Sequence, residues 1–266
     1  MIWIISGTQD GREIGAALAD REQSKPEGER REILMTVVSQ YGKVLAAHKG
    51  LDIEVGRFRE EDMLRVIREK GISLILDASH PYAAIVSETA RAACTKAGID
   101  YVRYERAEIP LPDYDKLYHA KDEFEAADLA GQLGKSILLT TGSKTLATFV
   151  KAKALEGKEI WARVLPTSNV IKMCEDLGMR AKYILALQGP FSYEMNLAMI
   201  HDYHADVMVT KNSGLIGTKL KAAMDAGISV IVIDKPKAKL DGAVVFSTVE
   251  GVLNYMEEHY GFHQEP

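Results

Sequence analysis

Short apolar runs alternate with helical patterns along the whole chain, and this alternation most constrains the fold. The run at residues 73–77 is representative, because it ends in a polar turn containing Pro81 and a helical pattern follows at once. Similar runs occupy residues 2–5, 33–39, 51–55, 101–105, 136–140, 160–164, 183–187, 206–210 and 229–233, with 244–246 as a further candidate. This order is typical of parallel sheets with helices on both faces. The sequence therefore predicts an α/β protein.

The chain length and one proline-containing stretch indicate two domains. The 266 residues are enough for one large domain or two small ones. Residues 109–112 continue neither a strand nor a helix comfortably, because Pro110 and Pro112 lack a backbone N–H. We therefore predict domains at residues 1–108 and 109–266. A turn at the edge of a single domain is the alternative.

The composition disfavours several classes of protein. A net charge of -5 and a pI of about 5.9 give no general field that would attract nucleic acid. The spacing of Cys94 and Cys174 fits neither a zinc site nor a disulfide framework, which favours a reducing compartment. The N-terminal apolar run is too short for a signal peptide, and no run approaches the roughly 20 residues that span a membrane. We predict a cytoplasmic protein with no metal site and with neither nucleic acid nor membrane as a partner. The sequence leaves the oligomeric state open.

Five loops share one design, in which an apolar run is followed by small polar residues and then by a helical pattern. They are residues 7–8, 79–81, 141–144, 188–192 and 211–214. Open α/β sheets bind ligands at the carboxyl ends of their strands, so these loops predict a ligand held in a cleft between the two domains. Lys144, Lys211 and Lys219 supply positive charge for phosphates or carboxylates. The structural alternatives are Gly189-Pro190 as a helix start, Ser213-Gly214 as a cap and Lys219 as a solvated side chain.

The first loop carries only part of a dinucleotide-binding pattern. Gly7, Gly11 and Gly15 are spaced by four, so the G-x-G-x-x-G fingerprint is absent. We expect Asp10 to cap the following helix and Glu13 to complete a capping box. The backbone amides at such a helix start can hold a phosphate. The second apolar run ends without the acid that usually holds the ribose hydroxyls of NAD, so NADH and NADPH both stay open.

Read together, the loops resemble one known family. The blocks that carry the resemblance are Gly7-Thr8 with the helix at Arg12-Glu13, residues 77–83 (DASHPYA), 139–144 (LTTGSK), 188–192 (QGPFS) and 210–214 (TKNSG). In this order, and over nearly the whole chain, they are similar to the precorrin-6A reductase family of corrin (vitamin B12) biosynthesis, including its cobalt-precorrin-6A branch. Residues 101–112 resemble the cobalt-containing branch more closely.

The resemblance implies two Rossmann-like domains with a reduced nicotinamide dinucleotide, NADPH or NADH, between them. It implies transfer of a hydride to a ring D double bond of the tetrapyrrole substrate, with one proton, to give (cobalt-)precorrin-6B. By likeness of loop position, contacts with the cofactor are assigned to Gly7, Thr8, Ser79, His80, Thr141, Gly142, Gln188, Gly189 and Pro190. Contacts with phosphate or substrate carboxylates are assigned to Lys144, Lys211, Ser213 and Lys219.

His80 is the candidate proton donor, because the ordinary pKa of histidine lies near neutrality, and water is the alternative source. Two positions depart from the family pattern. Ser79 stands where Thr is frequent, and Asn212 stands where an acid is frequent, which weakens a proton-transfer role there. Two other functions stay open: a non-catalytic module that senses pyridine nucleotides, and another tetrapyrrole enzyme such as a methyltransferase.

Overall fold

The strands form two six-stranded parallel sheets in the computed structural model, which describes residues 1–213 and 216–262. The strands are β1 (Ile2–Ser6), β2 (Ile33–Val37), β3 (Leu51–Val55), β4 (Leu74–Ala78), β5 (Asp100–Tyr104), β6 (Leu117–Ala120), β7 (Ser136–Leu139), β8 (Glu159–Val164), β9 (Ile184–Ala186), β10 (Val207–Lys211), β11 (Ser229–Ile233) and β12 (Val244–Phe246). The helices are α1 (Gln9–Ser24), α2 (Gln40–Ala46), α3 (Glu60–Lys70), α4 (Ala84–Ala97), α5 (Glu123–Leu133), α6 (Leu146–Lys151), α7 (Ser168–Asp176), α8 (Tyr193–Asp202), α9 (Gly217–Asp225) and α10 (Val249–Tyr260). Within the described ranges, every helix is too short or too polar to span a membrane.

The first sheet follows the strand order of the Rossmann fold, and the second follows it in five strands, with β6, which precedes β7 in the chain, in the sixth position. The order is β3-β2-β1-β4-β5-β12 in the first sheet and β9-β8-β7-β10-β11-β6 in the second. The chain therefore changes direction across the sheet between β1 and β4, and again between β7 and β10. Parallel sheets of this type bind ligands at such switch points, outside the carboxyl ends of the strands. The predicted α/β class with mainly parallel sheets is confirmed.

The C-terminal segment belongs to the first of two compact units. Unit 1 is Met1–Ala107 with Pro236–Pro266, and unit 2 is Glu108–Lys235. We expected residues 109–266 to form one domain, and this assignment is wrong for the last part of the chain. There β12 pairs with β5, and α10 packs on α1. An apolar pattern identifies a strand but carries no information on which sheet the strand joins.

Unit 1 has a core on each face of its sheet, because every residue of β1, β2 and β4 is buried. Ile4 faces α1 and α10, in one cluster with Ile14 and Met256. Its neighbour Trp3 points to the opposite face, in a cluster with Met63 of α3. Burial on both faces makes these strands continuous apolar runs. The missed strand, β6, lies at a sheet edge and reads Leu-Tyr-His-Ala, so it presents no such run.

Substitution within α10 tests where the C-terminal segment packs. We expect Met256→Ala to lower the free energy of unfolding by about 2–5 kcal/mol, because it leaves a cavity in the core of unit 1. Glu258→Ala, on the exposed side of α10, should change it by less than about 0.5 kcal/mol. Hydrogen exchange in Met256→Ala should accelerate in unit 1, and acceleration confined to residues 108–235 would contradict the unit assignment.

Candidate ligand site at the strand ends

The loops after β1 and β4 are packed against each other in unit 1. The amide of Gly7 donates to the carbonyl of Ala78 at 3.3 Å. A Cβ atom on Gly7 would lie 2.9 Å from the backbone nitrogen of His80, closer than real Cβ contacts allow. A Cβ atom on Gly11 would likewise lie 2.9 Å from the Cβ atom of Ala78. Both glycines are therefore required for close approach of α1 and its loop to the end of β4.

Thr8, and not Asp10, caps helix α1. The Thr8 hydroxyl accepts from the amide of Gly11 at 3.0 Å and donates to the carbonyl of Ala78 at 3.3 Å. The expected capping box at Asp10 is wrong, because the helix begins two residues earlier, at Gln9, and the Asp10 carboxylate is bound elsewhere. It accepts from Arg106 and from the Tyr104 hydroxyl, each at 2.5 Å. The negative charge beside the helix start is thereby neutralised.

A buried ion pair lies directly under the loop that carries His80. Asp77 and Arg103 are adjacent on β4 and β5, and their side chains are joined by a 2.9 Å contact between Oδ1 and Nη1. Asp77 also accepts from the Tyr101 hydroxyl at 2.7 Å, and Arg103 donates to Glu105 at 3.1 Å. Burial and the Asp77 charge raise the pKa of Tyr101, so this hydroxyl stays protonated and keeps donating. Within the cluster the Arg103 cation is thus paired with two carboxylates, those of Asp77 and Glu105.

This ion pair also fixes the backbone that leads to His80. The amide of Ser79 donates to Asp77 Oδ1 at 2.9 Å, and the Ser79 hydroxyl accepts from Arg103 Nη1 at 2.9 Å. Ser79 is buried, so its hydroxyl holds the loop in place. His80 is partly exposed at the strand end, and its Nδ1 accepts from the amide of Tyr82 at 3.2 Å. With Nδ1 an acceptor, the ring proton of neutral His80 lies on Nε2.

The loop after β7 in unit 2 depends on a glycine. Gly142 has φ 78° and ψ -173°, a backbone region that is essentially restricted to glycine. Thr141 lies just before it, and its hydroxyl accepts from the hydroxyl of Thr145 at 3.0 Å. Lys144 is exposed. Lys144 and Lys211 lie close enough that Lys144, together with burial, lowers the pKa of Lys211. Both sequence-predicted lysines therefore lie at the carboxyl end of the second sheet.

The loop after β9 is exposed from Gln188 to Pro190 and contains a cis peptide bond between Gly189 and Pro190. The alternative that Pro190 opens the next helix is wrong, because Ser192 caps α8 by accepting from the amide of Met195 at 3.2 Å. Asn196 anchors the end of this loop by donating to the Ser192 carbonyl at 2.7 Å.

Asn212 and Ser213 extend from the end of β10. Asn212 is buried and donates through Nδ2 to the carbonyl of Ile109 at 2.9 Å. Ser213 is partly buried, and its amide donates to the carbonyl of Lys211 at 3.1 Å. Gly214, the last residue of the block, lies outside the described residues, so the expected cap at Ser213-Gly214 stays a prediction.

The side chain of Lys219 is fixed by a hydrogen bond, so the alternative of a solvated lysine is wrong. Its Nζ donates to the hydroxyl of the buried Thr210 at 3.0 Å. Burial, with a smaller effect of the Arg163 charge, lowers the pKa of Lys219 to about 7. Arg163 itself is 8% exposed, and burial lowers its pKa to about 10.

Sequence reasoning missed both buried arginines. Arg103 and Arg163 each stand one residue before the end of an otherwise apolar strand, in the runs Tyr-Val-Arg-Tyr and Trp-Ala-Arg-Val. Such positions can be identified by a charged residue inside a run whose apolar pattern predicts burial. Charge is rarely buried without a specific partner. Asp77 lies in the sequence block at residues 77–83, but the sequence alone assigns it no role.

The strand order and the glycine-containing loops at both switch points define an α/β protein of the Rossmann type. A family model described as precorrin-6x reductase CbiJ/CobK matches residues 1–257. The cobalt-precorrin-6A reductase of Priestia megaterium is 36% identical to this chain over 96% of the chain and 97% of that protein. The cobalt-precorrin-6A reductase of Salmonella typhimurium is 35% identical over 91% of this chain and 89% of that protein.

The solved structure described as CobK precorrin-6A reductase has the same fold. It superimposes with a TM-score of 0.75 at 22% identity, covering 97% of this chain and 96% of that one. This chain belongs to the precorrin-6x reductase family, which confirms the resemblance carried by the loops. It is an oxidoreductase of cobalamin biosynthesis.

Removing the buried guanidinium tests the ion pair. We expect Arg103→Met to lower the free energy of unfolding by about 3–5 kcal/mol, because the Asp77 carboxylate stays buried without its cation. Arg65→Met is the matched control, since Arg65 forms an exposed ion pair with Asp62 and should contribute less than about 1 kcal/mol. Denaturant unfolding measures both, and equal losses would show that the buried pair has no special role.

Lys219 makes stability depend on pH in a defined direction. Its pKa falls from 10.5 in the unfolded chain to about 7 in the folded one, so the unfolded state binds more protons between those values and stability rises with pH. Below pH 7 the full cost of burying the charge is present. We expect Lys219→Met to raise the free energy of unfolding by about 1–4 kcal/mol at about pH 6, with the gain shrinking towards about pH 10. Lys221→Met, an exposed site paired with Asp225, should show no such trend. A gain independent of pH would contradict the assignment.

Proposed function

We propose that this chain reduces a ring D double bond of cobalt-precorrin-6A, with a reduced nicotinamide dinucleotide supplying the hydride. The observation that carries the proposal is the switch point between β1 and β4, where Gly7 lies against the backbone of His80. The names of the relatives from Priestia megaterium and Salmonella typhimurium support the cobalt-containing form of the substrate.

The residues of this switch point fit a dinucleotide. The first amides of α1 have no acceptor within the helix, so they are suited to a phosphate. Gly7 and Gly11 keep Cβ atoms away from the corner between α1 and β4, which is the role of glycine in dinucleotide loops. Asp10 would repel a phosphate, but its carboxylate is paired with Arg106. The chemistry of the corner therefore favours an anion.

The end of β2 is compatible with either form of the cofactor. Ser39 follows the strand and caps α2 by accepting from the amide of Gly42 at 3.0 Å. No acid stands between Val37 and Gly42 to repel the 2′-phosphate of NADPH. We infer that NADPH and NADH both fit at this position.

The bonds of Thr8 and Ser79 refine their proposed roles. Both hydroxyls have partners within unit 1, and the amide of Ser79 is bound to Asp77. We therefore propose that Thr8 faces the dinucleotide through its backbone amide and that Ser79 acts through the loop shape that it maintains. In unit 2 we retain Thr141, Gly142 and the segment 188–190 as cofactor contacts. We retain Lys144, Lys211, Ser213 and Lys219 as contacts with anionic groups.

His80 is better suited to donate a hydrogen bond than to give up a proton. A proton donor would be the imidazolium form, whose Nδ1–H would oppose the amide of Tyr82 that now donates to Nδ1. The neutral ring keeps that bond and presents Nε2–H. We propose that His80 orients a ligand through Nε2–H and that water supplies the proton.

Two rival functions make different predictions. A nucleotide-sensing module would bind NADPH or NADH without oxidising it when the tetrapyrrole is present. A methyltransferase would act on the tetrapyrrole when both nicotinamide cofactors are omitted. The reductase reaction requires both partners, and its rate can be followed as loss of the nicotinamide absorbance band.

The proposal is tested by measuring the activity of the wild-type chain and of two variants at His80. The wild-type chain should oxidise NADPH or NADH only when cobalt-precorrin-6A or precorrin-6A is added. His80→Gln retains an N–H donor, so we expect its kcat to stay within about tenfold of wild type, with a larger loss in His80→Ala. Equal losses of about 10²–10⁴-fold in both variants would instead assign the proton to His80. Absence of cofactor oxidation by the wild type with both substrates would refute the reductase function.

A further inference from the structure

Arg163 is a buried cation in unit 2 without an acidic partner. Its Nη1 donates to Asn196 Oδ1 at 2.8 Å and contacts Met199 Sδ at 3.6 Å. The guanidinium lies 4.3 Å from the ring centroid of Phe191, in the loop after β9. Among residues 1–213 and 216–262, no carboxylate contacts Arg163, and its Nε and Nη2 have no acceptor. About three of the five guanidinium N–H groups therefore have no acceptor among the described residues.

Lys219 is a second cation that has no acidic partner among the described residues. It stands in the first turn of α9, and its Nζ has one partner in the described part of the chain, the neutral hydroxyl of Thr210. The charge of Arg163 is near enough to lower the pKa of Lys219. The two positive charges therefore repel each other, and among the described residues neither side chain has a carboxylate partner.

Unit 1 shows how this chain neutralises a buried arginine when no ligand is needed. Arg103 is 1% exposed and is paired with both Asp77 and Glu105. Asp77 stands one residue before the end of the fourth strand in the Rossmann order, and Thr210 occupies the corresponding place in unit 2. Where unit 1 has an acid, unit 2 has a hydroxyl. Unpaired buried cations are costly, and a bound anion removes that cost.

We propose that Arg163, Lys219 and Thr210 form a binding site for one oxyanion group of a ligand, either a carboxylate of the tetrapyrrole or a phosphate of the dinucleotide. The inference deepens the proposed reductase function and rests on it for the identity of the ligands. Arg163 and Thr210 lie one residue before the ends of β8 and β10, the strands on either side of β7. The site is therefore at the carboxyl edge of the second sheet, where ligands of this fold bind.

The block at residues 188–192 holds Arg163 and the helix that carries Lys219 in a fixed arrangement. Phe191 stacks on Arg163, and its carbonyl accepts from the Thr218 hydroxyl at 3.2 Å in the first turn of α9. Asn196 holds both Arg163 and the carbonyl of Ser192. The loop, the arginine and the helix that carries Lys219 are thus fixed to one another, so the two cations are held in place before an anion arrives.

Three variants of the full chain test the site: Lys219→Met, Arg163→Gln and the matched control Lys221→Met. Lys221 lies in the same helix but is exposed and paired with Asp225. For each variant, the KM for cobalt-precorrin-6A, kcat, and the Kd of NADPH and NADH are measured. A substrate carboxylate in the site predicts a KM raised about tenfold or more in Lys219→Met and Arg163→Gln with the dinucleotide Kd unchanged. A dinucleotide phosphate predicts that the Kd rises by a similar factor. Lys221→Met should match the wild type in both quantities.

A readout independent of activity separates this inference from the proposed function. Inorganic phosphate and succinate are added to the free protein, and the melting temperature is recorded. At least one anion should raise the melting temperature of the wild type and of Lys221→Met more than that of Lys219→Met. The reductase function is decided by turnover of the wild type alone. If the wild type shows no turnover, the effects of the anions on the melting temperature can still be compared. The inference is overturned if Lys219→Met and Arg163→Gln, both folded, keep KM and Kd within twofold of wild type and respond to both anions as the wild type does.

Discussion

The buried pair of Asp77 and Arg103 is the interaction on which the rest of the first site depends. Its two charges are fully buried, and the fold tolerates them because each polar atom of both side chains has at least one partner. Those partners include the amide and the hydroxyl of Ser79, which fix the loop that carries His80. Gly7 then packs against that loop without a Cβ atom between them. An internal electrostatic cluster therefore determines the shape of the proposed ligand-binding surface.

The two units share the order of five strands but differ in how their buried charges are arranged. In unit 1 the buried Arg103 is neutralised by an acidic residue of the protein, Asp77. At the start of α1, Arg106 neutralises the charge of Asp10. In unit 2 Arg163 and Lys219 have no acidic partner among the described residues, and our proposal assigns the balancing charge to a ligand. A reductase needs both kinds of surface, because the cofactor carries the hydride chemistry and the protein contributes orientation and electrostatics.

The fold class could be predicted from the sequence because strands buried on both faces of a parallel sheet are continuous apolar runs, and β1, β2 and β4 all have this form. The sequence could not predict which sheet β12 joins, because pairing between strands about 140 residues apart leaves no local pattern. The candidate site residues are assigned from the positions of their loops after strands and from the resemblance to the family, and their contacts with ligands stay predictions. Arg103 and Arg163 were missed because their roles depend on partners from other elements, which a linear pattern does not reveal.

The central claim is that the corner formed by the loops after β1 and β4 holds the dinucleotide. Hydrogen–deuterium exchange of the full chain with and without NADPH tests it most directly. The account predicts slower exchange in residues 6–12 and 78–84 when NADPH is bound. Bound NADPH that leaves exchange in both segments unchanged while slowing it elsewhere would contradict the account.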